Sequence, residues 1–255
     1  MINALIHKQV EPIDAKRHAG TRLVLGQSDW KFTAGLNSIF LTAAEFGDAC
    51  RDFPVVFIEA GKDDAGKRLV APIAIMGLVN NDNLFVSEGR WNGRYIPAVL
   101  RAYPFCTARI DDERFAVCLD AAFDGVSQTE GQALFTADGK PSPLLEQVQK
   151  QLEMLEGEVQ RTRLMCDKLI ELDVLREMRF DATLPDGRKH SLDGFLTIDH
   201  ERVTKLTDPQ VLDAHRSGLL GLMHAHWLSL GNMRTLMEQH MQRHPAPAAT
   251  AASGA

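Results

Sequence analysis

A change of hydrophobic period near residue 141 constrains this chain more than any other feature. Before it, apolar residues come in short runs: Val55-Val56-Phe57-Ile58, Leu69 to Val79 and Leu84-Phe85-Val86. Polar turns separate them, at Gly61 to Lys67 and at Asn80-Asn81-Asp82-Asn83. Such runs read as strands of an antiparallel meander, because short amides and carboxylates tolerate the backbone of tight turns. After it, Leu145, Val148, Leu152, Leu155, Val159, Thr162, Cys166 and Leu169 recur at alternating spacings of three and four. That is the period of a helix. Ser142 can cap it, with Pro143 at the first position, where a missing N–H costs nothing. The seam covers roughly 28 residues, about 42 Å if continuous. Gly157 near its middle costs about 1 kcal/mol against alanine, and marks a break or a close crossing. The clean heptads are fewer than a coiled coil wants, so helix 143–170 is expected to pack on the chain's own sheet. A partner protein or a second copy along the same seam is the alternative.

The remaining segments follow from caps and turns. Thr42 and Glu45 form a capping box, so a helix is expected over Ala43 to Asp52, stopped at Phe53-Pro54. Thr107 to Ile110 and Phe115 to Leu119 read as a hairpin. Leu172 to Met178 reads as helical, in continuation or as a second short helix. Arg179 to Leu184 and Lys189 to Ile198 form a hairpin about Pro185-Asp186-Gly187-Arg188. Asp199 caps 200–206, Asp208-Pro209 opens a helix that Gly218 ends, and Leu219 to Gln242 is a long apolar helix. The fold class is α+β: an antiparallel-rich sheet in the N-terminal half, long helices plus a β-hairpin in the C-terminal half. The division expected is a β-rich lobe over 1–140, a helical lobe over 141–244 with hairpin 179–198, and a disordered tail over 245–255, whose small residues have nothing to bury.

Composition excludes several functions. A formal charge of −6 over 255 residues argues against nucleic-acid binding, which needs a basic face. No apolar run approaches the ~20 residues of a membrane-spanning helix, and no secretory leader is visible, so a cytoplasmic location is expected. Cys50, Cys106, Cys118 and Cys166 are scattered, with no CxxC, which is neither a disulfide framework nor a zinc site. His224 and His226 stand two apart in a helical segment and point away from each other, and so read as structural. His240 and His244 have helical spacing near a chain end, where adventitious nickel binding is expected. No metal and no cofactor is assigned; nucleotide, P-loop and zinc-protease patterns are missing from the sequence.

The chemistry concentrates in Leu84 to Phe105, which holds one tryptophan, both tyrosines and three arginines. Rings beside guanidinium groups suit an anionic or flat polar ligand, since arginine offers a planar donor fork and stacks on rings. Arg94, Arg101 and Tyr95 can hold a carboxylate or phosphate, Trp91 and Tyr103 can supply stacking faces, and Asp120 can reach a pocket mouth from the end of a strand. The same residues also fit a plug that closes the sheet's end, with Arg101 capping a carbonyl or an acid. A concave, partly exposed patch around Arg101 separates the first arrangement from the second.

Taken together, the chain resembles the SapC family. The resemblance rests on Ala43-Ala44-Glu45-Phe46, Phe53-Pro54-Val55-Val56-Phe57, Met76-Gly77-Leu78 and Asn83-Leu84-Phe85-Val86. Its central block is Gly89, Trp91, Tyr95-Ile96-Pro97, Leu100-Arg101 and Tyr103-Pro104-Phe105. Val117-Cys118-Leu119-Asp120, Leu134-Phe135, Leu192-Asp193-Gly194-Phe195 and Leu228-Ser229-Leu230 complete it, over about residues 18 to 240. The family carries surface-layer and transporter labels, and its resemblance implies a support role beside TonB-dependent receptors in uptake or processing of a peptide or amino-acid-like molecule. It brings no catalytic residues. The function expected is an accessory protein binding an anionic or aromatic small molecule or peptide. An enzyme using Asp120, Tyr95 or Cys106, and an interaction scaffold, are the alternatives.

Overall fold

The computed structural model describes residues 2–26, 29–111, 114–183 and 189–245. It is α+β. Its centre is a five-stranded antiparallel sheet in the order Leu175–Thr183, Lys189–Ile198, Val55–Lys62, Arg68–Ile75, Ser38–Phe40. The hairpin from beyond residue 141 is therefore hydrogen-bonded into the sheet of the first half. The turn expected at 185–188, the tip at 112–113 and the tail from 246 lie outside the described residues.

The seam between the two halves is spliced by a helix, Leu219–Ser229. Leu196 pairs with Phe57, which sets Ile198 opposite Val55. Side chains stand where that next rung would be. The His226 ring accepts from the Ile198 amide through Nε2 at 3.1 Å and donates from Nδ1 to the Val55 carbonyl at 2.9 Å. Ser229 Oγ accepts from the Val55 amide at 3.0 Å, and Trp227 Nε1 donates to the Ile198 carbonyl at 2.8 Å. All four backbone groups of the missing rung are thus satisfied, as buried peptide groups must be.

Several segments depart from the expectation. The meander's third member, Leu84-Phe85-Val86, does not join the sheet. Asn83 donates from its side chain to the Thr33 carbonyl and from its amide to the Ala34 carbonyl, both at 3.0 Å, and so draws the chain away. The vacated edge of Arg68–Ile75 takes Ser38–Phe40 instead, and Val86–Ser87 pairs with Arg90–Trp91 in a separate ribbon. Leu172 to Met178 is not helical: Asp173 adopts a left-handed φ of 50°, and a strand opens at Leu175. The helix expected over Ala43 to Asp52 is a 3-10 turn, Ala43–Glu45, followed by Phe46–Ala49. Leu219 to Gln242 is two helices, broken so that Asn232, which opens the helix Asn232–Arg243, can donate to the Cys50 and Phe53 carbonyls.

The long helix, Pro143–Glu171, is continuous and is capped by Ser142 as expected. Gly157 marks neither a break nor a crossing; a Cβ there would meet only the Arg161 guanidinium, at 3.7 Å. The helix bridges two apolar clusters. Leu145, Val148 and Leu152 pack on Leu23, Phe105, Leu119 and Leu134, next to the small sheet of Val10–Pro12, Phe115–Asp120 and Phe105–Arg109. Met165, Cys166 and Leu169 pack in the main core, which runs from Ile6 to Met237. Between these footholds Leu155 and Val159 are only half-buried.

Candidate functional site

A cleft of about 900 Å³ runs beside the first foothold and into the gap after it. One wall is the long helix, through Gln147, Gln151, Met154, Glu158 and Arg161. Each stands one position before a seam residue, about 100° round the helix from it. The opposite wall is the turn and short helix Ala98–Arg101 with Tyr95 before it and Tyr103 after it. Trp30, Phe32 and Phe123 close the end.

Three of the six expected site residues meet here: Tyr95, Arg101 and Tyr103. Arg101 is exposed and forms no ion pair among the described residues. Its Nη2 donates to the Tyr95 hydroxyl at 3.3 Å, and its guanidinium carbon lies 5.5 Å from the Tyr95 ring centre. The hydroxyl in turn donates to Glu45 Oε1 at 2.9 Å. Glu45 is buried at 5% exposure and also accepts from the Ala98 amide (2.7 Å), the Thr42 amide (2.8 Å) and Thr42 Oγ1 (2.9 Å). A buried carboxylate with four donors is fully occupied, and it holds Tyr95 as a donor. Burial, and then the Glu45 charge, push the Tyr95 phenol well above its ordinary range. Tyr103 is stacked on Phe32 at 4.1 Å and meets the edge of Phe123 at 5.6 Å. One face is therefore taken by the protein. Burial and Asp120 push its phenol up to about 12.

Trp91, Arg94 and Asp120 do not line the cleft. Trp91 packs among Trp30, Phe53 and Phe85, and its Nε1 donates to the Tyr95 carbonyl at 2.9 Å, so it positions Tyr95 from behind. The Arg94 amide donates to Asp52 Oδ2, and its side chain points to solvent. Asp120 is fully buried and accepts from the Lys8, Gln9 and Ala122 amides at 3.0, 2.8 and 3.2 Å. Burial opposes its ionisation, but those donors outweigh it and hold the carboxyl below its usual range. It ties the N-terminal arm to the end of a strand.

Glu45, Phe32 and the helix stripe stand outside the site expected from the sequence. Glu45 carried a visible signal as a capping residue, and that role is real. Its second role depends on Tyr95, 50 positions on. The stripe was detectable as a second line of three and four spacings rich in amides. Cys106 stands opposite Cys118 across the strand pair, both as free thiols, and burial pushes Cys106 up to about 12. No lysine, arginine or histidine side chain lowers it, and neither thiol lines the cleft. The sequence model of the SapC family matches residues 13–236. No curated protein and no solved structure matches the chain.

Proposed function

The chain belongs to the SapC family, and on that premise we propose that it is an accessory binding protein whose cleft holds a small molecule or peptide with an apolar or aromatic body and an anionic end. The observation that carries this is Arg101: an exposed guanidinium on a concave apolar surface, oriented by Tyr95 yet lacking an ion pair among the described residues. A carboxylate at that point would receive a bidentate, charge-assisted pair. The amides of Gln147 and Gln151 offer both donors and acceptors along the helix wall, which suits a peptide backbone. A support role in TonB-dependent uptake or processing of a peptide or amino-acid-like molecule gives such a ligand a source, and a cytoplasmic location fits it. No helix among the described residues is long and apolar enough to cross a membrane.

Binding is favoured over catalysis because the groups available for chemistry do not converge. Asp120 is occupied by amides, Cys106 lies in the hairpin away from the cleft, and Tyr95 is held protonated. The scaffold reading keeps one support: Met154 and Leu164 stand 63% and 68% exposed on the long helix. The test is to identify small molecules released by heat from natively purified protein. An anionic species carried by the wild type and depleted in Arg101→Ala is expected. Equal carriage by both proteins, or none by either, contradicts the proposal.

A further inference from the structure

We propose that Asp82, His240 and His244 form a binding site for a zinc-class divalent cation, apart from the cleft. His240, in the last turn of the final helix, and His244, the residue just past its end, are neighbours, with ring centres at 4.6 Å. The fold supplies the third group, Asp82, from 162 positions before His244. Asp82 Oδ2 lies 3.0 Å from His244 Nε2 and 3.9 Å from His240 Nδ1, and one ligand atom from each of the three falls within 4.8 Å of the others. Tetrahedral zinc with ligands near 2.1 Å needs them about 3.4 Å apart, so the set must contract by no more than ~1.4 Å, within reach of imidazole rotation.

The surroundings suit a metal carboxylate. Arg243 Nη1 holds Asp82 Oδ1 at 3.0 Å and leaves Oδ2 turned to the imidazoles, which is how outer groups orient a ligating acid. Arg243 itself is fixed by the carbonyls of Asn83, Leu84 and Val86. The Asp82 and His240 side chains are 12% and 3% exposed, while His244 is 41% exposed and leaves an entry path. Two imidazoles and one carboxylate select zinc, nickel or copper over magnesium or calcium, and leave a fourth position open. Coordination would pin the last helix to the 80–83 turn, from which the chain leads to Trp91 and Tyr95.

The test uses tag-free, chelator-stripped full-length protein titrated with zinc chloride. One zinc per chain is expected, with a raised melting temperature. Asp82→Asn and His244→Gln should each weaken binding at least tenfold, and cobalt(II) should give a tetrahedral absorption band that both variants lose. Asp82→Asn keeps both imidazoles. Undiminished zinc affinity in that variant would mean an adventitious histidine pair and would overturn the site, as would no zinc binding by the wild type. Circular dichroism of each variant separates lost binding from lost folding.

Discussion

His226 lies where a ladder rung would be, and its protonation state follows from that position. Its Nε2 accepts from the Ile198 amide, so the ring must be neutral with the proton on Nδ1. Burial lowers its pKa from 6.5 to about 4. The unfolded chain takes up this proton near 6.5, so between about 6.5 and 4 it binds more protons than the folded chain. Stability then falls as pH is lowered through that window, by about 2 kcal/mol between pH 6.5 and 5. Urea titrations at pH 7 and 5 should show the loss, and His226→Gln, less stable at pH 7, should show a flatter dependence; equal slopes would refute the assignment. Tyr95→Phe makes a second residue-scale case. It removes one of four donors from buried Glu45 and should cost about 1–3 kcal/mol in chemical denaturation. Because Arg101 stays, ligand affinity should fall less than in Arg101→Ala. The sequence placed Arg101 and the tyrosines together because they are neighbours in the chain. It separated them from Glu45 because nothing local says that a capping acid has a second partner 50 positions away.

The long helix was legible as an element, since its period, cap and first-turn proline are local signals. Its role was not, because the partners of its two footholds, and the cleft's opposite wall, come from segments far off in sequence. Gly157 follows the same division: the cost of a helical glycine was readable, the open space around it was not. Gly157→Ala should therefore raise stability by about 1 kcal/mol, read as an upward shift of the urea midpoint. A lowered midpoint would mean the helix is crossed closely there. Leu152, 2% exposed in the second cluster, should cost about 2–5 kcal/mol as Leu152→Ala. The third strand expected in the meander is missing from the sheet for a related reason. Its apolar run is genuine, but Asn83 anchors it to Thr33 and Ala34 rather than to the sheet, and turn propensity alone cannot name that partner.

At the scale of the molecule, one sheet and one core join residues on both sides of position 141. The expected boundary is a change of secondary structure across which the hydrogen-bonded sheet continues. Heat or urea should accordingly unfold the chain in a single transition seen alike by tryptophan fluorescence and circular dichroism; two separated transitions would show that the halves hold independently. The cleft belongs to this scale too, built from the N-terminal arm, the 84–105 block and the long helix together. Calorimetric titration with a panel of short apolar peptides, each as its free C-terminal acid and as the matching amide, tests the central claim most directly. Binding of at least one free acid is expected, weakened at least tenfold both by amidation and by Arg101→Ala, as befits about 1.5–3 kcal/mol from a charge-assisted pair. Equal affinity for acid and amide, or binding untouched by Arg101→Ala, would contradict it.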